Sequence, residues 1–206
     1  FVSSLQNRAS VLAYLGRHDE AARDFAQVLA LDPEFPWVQG ALLASQLHCC
    51  DWRDYETATA ALEAAALAGR RASDPLPMVM ITSSPAAQLA AARTYAEERF
   101  AAIRPLPPGD RPAHGRIRVA YLSADLHDHA TAHLMSGVFE RHDRARFETF
   151  ALSFGPATDD PVQRRLRAAF EHFIDVRPAT DAEIAQRLRD LGIDIAVDLK
   201  GYTFDA

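Results

Sequence analysis

The 206-residue chain is 49% hydrophobic and 24% charged with a net charge of −6, the balance of a soluble globular protein of one large domain or two small ones. Acidic residues exceed basic ones in both halves, so there is no basic stripe for nucleic acid, and no apolar run reaches the ~18 residues of a membrane span. The two cysteines, Cys49 and Cys50, are adjacent and too few for a disulfide framework or a zinc site, which fits a reducing cytoplasm.

Apolar and small residues recur at helical spacing from Leu5 to Ala30, broken near Gly16. Ala21, Phe25 and Pro33 stand at the offsets of a tetratricopeptide repeat, where a small residue lets two antiparallel helices cross closely, an aromatic fills the gap and proline ends the second helix. One repeat length of about 34 residues carries Gly16 to Cys50. There, Cys49 to Tyr55 reads as a second, worn turn in which Tyr55 replaces alanine and should splay its helix pair. Trp37 and Trp52 read as helix-packing groups. Arg70 to Pro77 punctuates the chain, and Ser84 to Ala102 reads as a further helix with Pro85 in its first turn.

Residues 104–115 hold four prolines and two glycines and read as a linker between a helical unit at 1–103 and a second unit at 116–206. In the second unit, strand-like runs at 117–122, 147–154, 172–176 and 193–199 alternate with helical stretches at 129–142, 161–171 and 181–191. The last helix opens on the capping pair Thr180 and Glu183. Alternation of this kind predicts a parallel, doubly wound sheet. The fold class expected for the whole is therefore α + α/β, a tetratricopeptide-like helical segment followed by a Rossmann-like parallel domain.

The first strand of that domain runs straight into Asp125, His127, Asp128, His129 and His133. A strand tip that feeds a helix N-terminus lies at the carboxyl edge of a parallel sheet, where α/β proteins bind ligands. His129 should open the helix, where the dipole disfavours an imidazolium, and it reads either as a proton-handling group or as a helix cap. His133 lies one turn later on the same face. A metal site built on His127, His129, His133 and Asp125 is the less favoured alternative, because only Asp198 is on offer from another strand end. The last strand tip, Asp198-Leu199-Lys200-Gly201-Tyr202-Thr203, brings a cation and two hydroxyls to the same edge, to grip a polar ligand or as an ordinary turn. His114, His142 and His172 stand apart and read as surface or edge residues. No G-x-G-x-x-G and no P-loop is present.

Four segments, in order, carry a family resemblance: Cys50 to Tyr55; Arg116 to Asp125, like "RIRVGYVSSD"; His129 to Met135, like "HPTSHLM"; and Gly201-Tyr202-Thr203. The chain resembles the O-linked N-acetylglucosamine transferases, the tetratricopeptide-bearing glycosyltransferases of family 41, and their bacterial members in particular. The resemblance implies the N-terminal half of a GT-B glycosyltransferase. That enzyme transfers N-acetylglucosamine with inversion from UDP-GlcNAc to serine or threonine hydroxyls of a protein or peptide, with no cofactor and no required metal. His129 falls on the motif histidine at the acceptor side, with Asp125, His133, Lys200, Tyr202 and Thr203 around it as substrate-binding candidates. Ala130 replaces the family's proline, and Lys200 stands where several relatives carry a neutral residue. The resemblance also implies a C-terminal catalytic half as partner, without which a fragment is expected to be inactive. A protein-binding repeat scaffold with an inert α/β domain is the alternative from another functional class.

Overall fold

The computed structural model describes residues 1–106 and 114–203 in two compact units, Phe1–Arg104 and Pro105–Ala206. Residues 107–113 of the linker expected at 104–115 lie outside the described residues.

The first unit is helical: α1 Val2–Tyr14, α2 His18–Leu31, α3 Val38–His48, α4 Tyr55–Leu67, α5 Pro75–Ile81 and α6 Pro85–Arg99. Helices α1 and α2 cross as the repeat offsets require, with Ala21 and Phe25 buried among Leu5, Ala9, Leu12 and Val28. Asp32 closes α2 immediately before Pro33. The second repeat departs from the first as Tyr55 suggests: α4 packs mainly on α6 and only lightly on α3. The Tyr55 hydroxyl donates to the Ile81 carbonyl at 2.6 Å, so the ring tethers α4 to the end of α5. The punctuation expected at 70–77 hides the start of α5, which uses Pro75 as its first residue, where the missing amide costs nothing. Trp37 packs edge-on against Tyr95 at 5.7 Å, whereas Trp52 is 58% exposed and meets Tyr55 edge-on at 5.5 Å.

The repeat correspondence of Gly16 and Cys50 extends to the backbone. After α1, Gly16 takes φ +73° while the Arg17 amide donates back to Leu12 at 2.8 Å; after α3, Cys50 takes φ +56° while the Asp51 amide donates back to Gln46 at 2.9 Å. Both are helix ends closed by a left-handed residue, a conformation that suits glycine and strains cysteine. Relief of about 1–2 kcal/mol, less the larger unfolded-state entropy of glycine, leaves an expected gain of about 0.5–1 kcal/mol for Cys50→Gly, read as a raised urea midpoint at unchanged slope.

The second unit alternates as expected: β1 Ile117–Ser123, α7 Ala130–Glu140, β2 Phe147–Ser153, α8 Pro161–Ala169, β3 His172–Asp175, α9 Asp181–Asp190 and β4 Ile195–Asp198. The four strands are parallel in the order β3-β2-β1-β4. Period-two alternation sorts side chains between the faces. Val119, Tyr121 and Ala151 pack under α7 and α8 with Leu126, Phe139 and Leu166, while Ala120, Phe150 and Leu152 pack under α9 with Ile184 and Leu188. Full burial of a side chain such as Phe139 or Leu166 is worth roughly 1.5–3 kcal/mol, and these two faces hold the sheet. The chain steps from β1 to β2 to β3, then α9 carries it back to place β4 on the free side of β1. The switch point of this sheet therefore lies between the carboxyl ends of β1 and β4, where such folds open a crevice. Thr180 and Glu183 form the expected reciprocal cap on α9.

Candidate active site at the carboxyl edge of the sheet

Register decides what meets at the switch point. Leu122 of β1 pairs with Asp198 of β4, and the Leu199 amide continues the ladder to the Leu122 carbonyl at 3.0 Å. Two residues past each strand, Asp125 and Lys200 then face each other, with the ammonium 3.3 and 3.4 Å from the two carboxylate oxygens. Their side chains are 12% and 10% exposed. Asp198 shapes the β4 turn by accepting the Lys200 amide at 2.8 Å and the Gly201 amide at 3.1 Å, and the Thr203 hydroxyl donates back to the Lys200 carbonyl at 2.8 Å. Tyr202 is half exposed on the same turn.

His129 is the N-cap of α7. Its backbone is extended, and its Nδ1 accepts the Thr131 amide at 3.2 Å. A ring that accepts at Nδ1 carries its neutral-form proton at Nε2 and donates there. The two sequence readings of this residue, cap and functional group, are thus compatible: one nitrogen holds the helix, and the side chain is 44% exposed. The same Nδ1 lies 3.8 Å from Asp125 Oδ2, so that oxygen links His129 to Lys200 at the switch point. His133 is drawn instead to Asp128, at 2.8 Å. His127 keeps its ring 5.8 Å from that of His129 and has a buried Nδ1 without a protein hydrogen-bond partner. Among the described residues no three His, Cys, Asp or Glu side chains group as a metal site.

His114, His142 and His172 each have a partner, and His172 is exposed on the edge strand β3 as expected of an edge residue. His114 meets Asp194 at 3.1 Å, His142 meets the Tyr121 hydroxyl at 2.7 Å, and His172 meets Glu148 at 2.9 Å while stacking on Phe150.

Sequence reasoning missed the residues that hold the histidine segment in place. Gln163, buried on α8, donates its amide to the Leu126 and Pro156 carbonyls, both at 3.1 Å. The Ser123 hydroxyl accepts the Asp125 amide at 3.0 Å. Asp160, the N-cap of α8, accepts the Gln163 amide at 2.8 Å and the Asp128 amide at 3.3 Å, and it also accepts the Thr158 hydroxyl. The loop after β2 presses Gly155 against the Ala124 carbonyl, so closely that a β-carbon there would sit 1.6 Å from the oxygen. Two signals were present in the sequence. Asp160-Pro161 is a cap followed by an N1 proline, and Gln163 occupies an apolar helical position ahead of Leu166 and Ala169.

The Thr158 hydroxyl first, then the amides of Gln163 and Asp128, hold the Asp160 carboxyl down at about 2, below its ordinary 3.8. A depressed carboxyl adds stability that is present above the ordinary value and lost as pH falls through the folded one. The difference in Tm between the wild type and Asp160→Asn should therefore shrink as pH is lowered from about 4 to about 2. A constant difference across that window would place the effect elsewhere.

The family described as Glycosyl transferase family 41 matches residues 105–206. A probable UDP-N-acetylglucosamine–peptide N-acetylglucosaminyltransferase of Arabidopsis thaliana is 32% identical over 107 residues, which cover 48% of this chain and 11% of that protein. A UDP-N-acetylglucosamine–peptide N-acetylglucosaminyltransferase of Caenorhabditis elegans is 29% identical over 171 residues, 75% of this chain and 15% of that protein. The solved structure of a mutant O-GlcNAc transferase from Thermobaculum terrenum superposes with a TM-score of 0.50 at 30% identity, covering 97% of this chain and 39% of that one. The chain thus spans well under half of each of these relatives. Among the described residues no helix is long and apolar enough to cross a membrane. With helical repeats ahead of a parallel sheet and the family match along its whole second unit, the chain belongs to glycosyltransferase family 41.

Proposed function

We propose that the protein is an inverting glycosyltransferase that moves N-acetylglucosamine from a uridine-diphosphate donor to serine or threonine hydroxyls of a protein acceptor, with His129 on the acceptor side. The observation that carries the reading is an exposed imidazole standing at the switch point of a parallel sheet in a family 41 chain. In a single displacement the acceptor oxygen bonds to the anomeric carbon as the bond to the diphosphate breaks, so the hydroxyl must be aimed and relieved of its proton. An imidazole whose Nδ1 is engaged by the Thr131 amide meets the hydroxyl oxygen as a donor through Nε2–H and aims it, and the hydroxyl proton leaves on the departing diphosphate. Tyr202 and His133, both exposed, border the same edge and are assigned to substrate contact, while Asp125, Lys200 and Thr203 turn their polar atoms toward neighbours in the chain.

The departing diphosphate needs cationic or amide donors. We assign these to the C-terminal catalytic half implied by the family, with no metal or cofactor in the step and a cytoplasmic setting. The test is made on the intact protein: calorimetric titration with uridine diphosphate, and transfer of labelled N-acetylglucosamine to serine- and threonine-containing peptides. Binding and transfer are expected. An intact protein that binds no uridine diphosphate overturns the proposal in favour of a repeat scaffold with an inert α/β unit.

A further inference from the structure

We infer that Lys200, acting through Asp125, decides which ring nitrogen of His129 carries the proton, and so whether Nε2 meets the acceptor hydroxyl as a donor or as an acceptor. The inference rests on the reading of His129 as the acceptor-side group. Two neighbours make opposite demands on Nδ1: the Thr131 amide, at 3.2 Å, offers a proton and needs a lone pair, whereas the Asp125 carboxylate, at 3.8 Å, calls for an N–H. One nitrogen cannot answer both.

A carboxylate only 12% exposed requires a partner, and the ion pairs that Asp125 makes among the described residues are with Lys200 and His129. While the Lys200 ammonium satisfies the carboxylate, Nδ1 stays unprotonated, caps α7 through Thr131 and leaves the ring proton on Nε2. Without that ammonium, the ion-pair contact left to the carboxylate among the described residues is the His129 ring. Its proton then moves to Nδ1, the cap bond is released, and Nε2 becomes a lone pair able to take a proton from an alcohol. The remaining charged or titratable groups of the segment are occupied or farther off: Asp128 and His133 pair with each other, and the His127 ring is 5.8 Å away. Lys200 is therefore a positioning residue, one step removed from the reacting atoms.

The test reads the tautomer directly, by long-range 1H–15N correlation spectra of the intact protein labelled at histidine, with His129→Ser used to assign the signal. The wild type is expected to hold its neutral proton on Nε2, and Lys200→Arg, which keeps the charge, to do the same. Lys200→Met is expected to shift the proton to Nδ1, and Lys200→Met combined with Asp125→Asn, which leaves no charge to answer, to return it to Nε2. Should the methionine variant fail to fold, Lys200→Ala prepared with methylammonium, which refills the ammonium position, gives the same comparison when the amine is removed. An unchanged Nε2–H tautomer after loss of the ammonium overturns the inference. A tautomer that shifts as expected in a protein whose sugar transfer survives loss of His129 would uphold the inference while removing the acceptor-side reading, so the two failures are distinct.

Discussion

Sugar transfer by the intact protein is expected to fall by about a hundredfold when His129 is replaced by alanine, the scale for loss of a group that aims the attacking atom. The argument turns on what each nitrogen does. Nδ1 accepts the Thr131 amide and closes the first turn of α7, so alanine also removes a helix cap at a cost of about 1 kcal/mol. His129→Ser separates the two contributions, because a serine hydroxyl caps an amide as well as the imidazole does but offers nothing to an acceptor at Nε2. Serine should therefore keep the thermal stability of the wild type and share the kinetic defect of alanine. The loss should fall on kcat more than on donor KM, since donor recognition is assigned to other groups. Turnover that survives in the serine variant would strip His129 of its part in the reaction and leave it as a cap.

What the sequence made legible follows from how local each feature is. The β/α alternation of the second unit, the Thr180–Glu183 cap and the Ala21–Phe25 crossing depend on spacing within one or two elements, and each is present. The equivalence of Gly16 and Cys50 was legible as an offset, but its meaning, a left-handed residue closing each helix, needs backbone angles. Helix α5 was hidden because proline reads as a breaker until it is seen at a first helical position. The candidate site divides the same way. That Asp125, His129 and Lys200 share a sheet edge follows from strand tips in a parallel fold. That Lys200 reaches Asp125 depends on β4 lying beside β1 rather than beyond β3, a crossover that no periodicity encodes. Gln163 and Gly155 act across the chain on carbonyls of the histidine segment and leave only faint marks: a polar residue at an apolar helical position, and a glycine after a strand.

Gly155 carries the second large expected effect, and it acts on the site without touching it. A β-carbon at position 155 would lie 1.6 Å from the Ala124 oxygen and 2.5 Å from its carbonyl carbon, and these are backbone atoms that cannot rotate aside. Ala124 is buried, its neighbour Ser123 accepts the Phe154 amide at 3.2 Å, and Leu126 is fixed by Gln163, so the strain has no soft outlet. Gly155→Ala must displace either the loop after β2 or the segment leading to His129. The expected cost is about 3 kcal/mol or more, the upper range for overpacking a rigid site, measured as a fall in the urea midpoint. A displacement of about 1 Å in the histidine segment is also enough to lower transfer on the order of a hundredfold in the fraction that stays folded. Gly137→Ala provides the contrast within the same unit. Its β-carbon would meet the Arg141 guanidinium, the far end of a flexible side chain, at 2.9 Å, inside helix α7 where alanine is favoured over glycine by about 1 kcal/mol. Position 137 should therefore tolerate or gain from alanine while position 155 does not. Equal stability of the two variants would mean that the close approach of Gly155 to Ala124 does not hold the histidine segment in place.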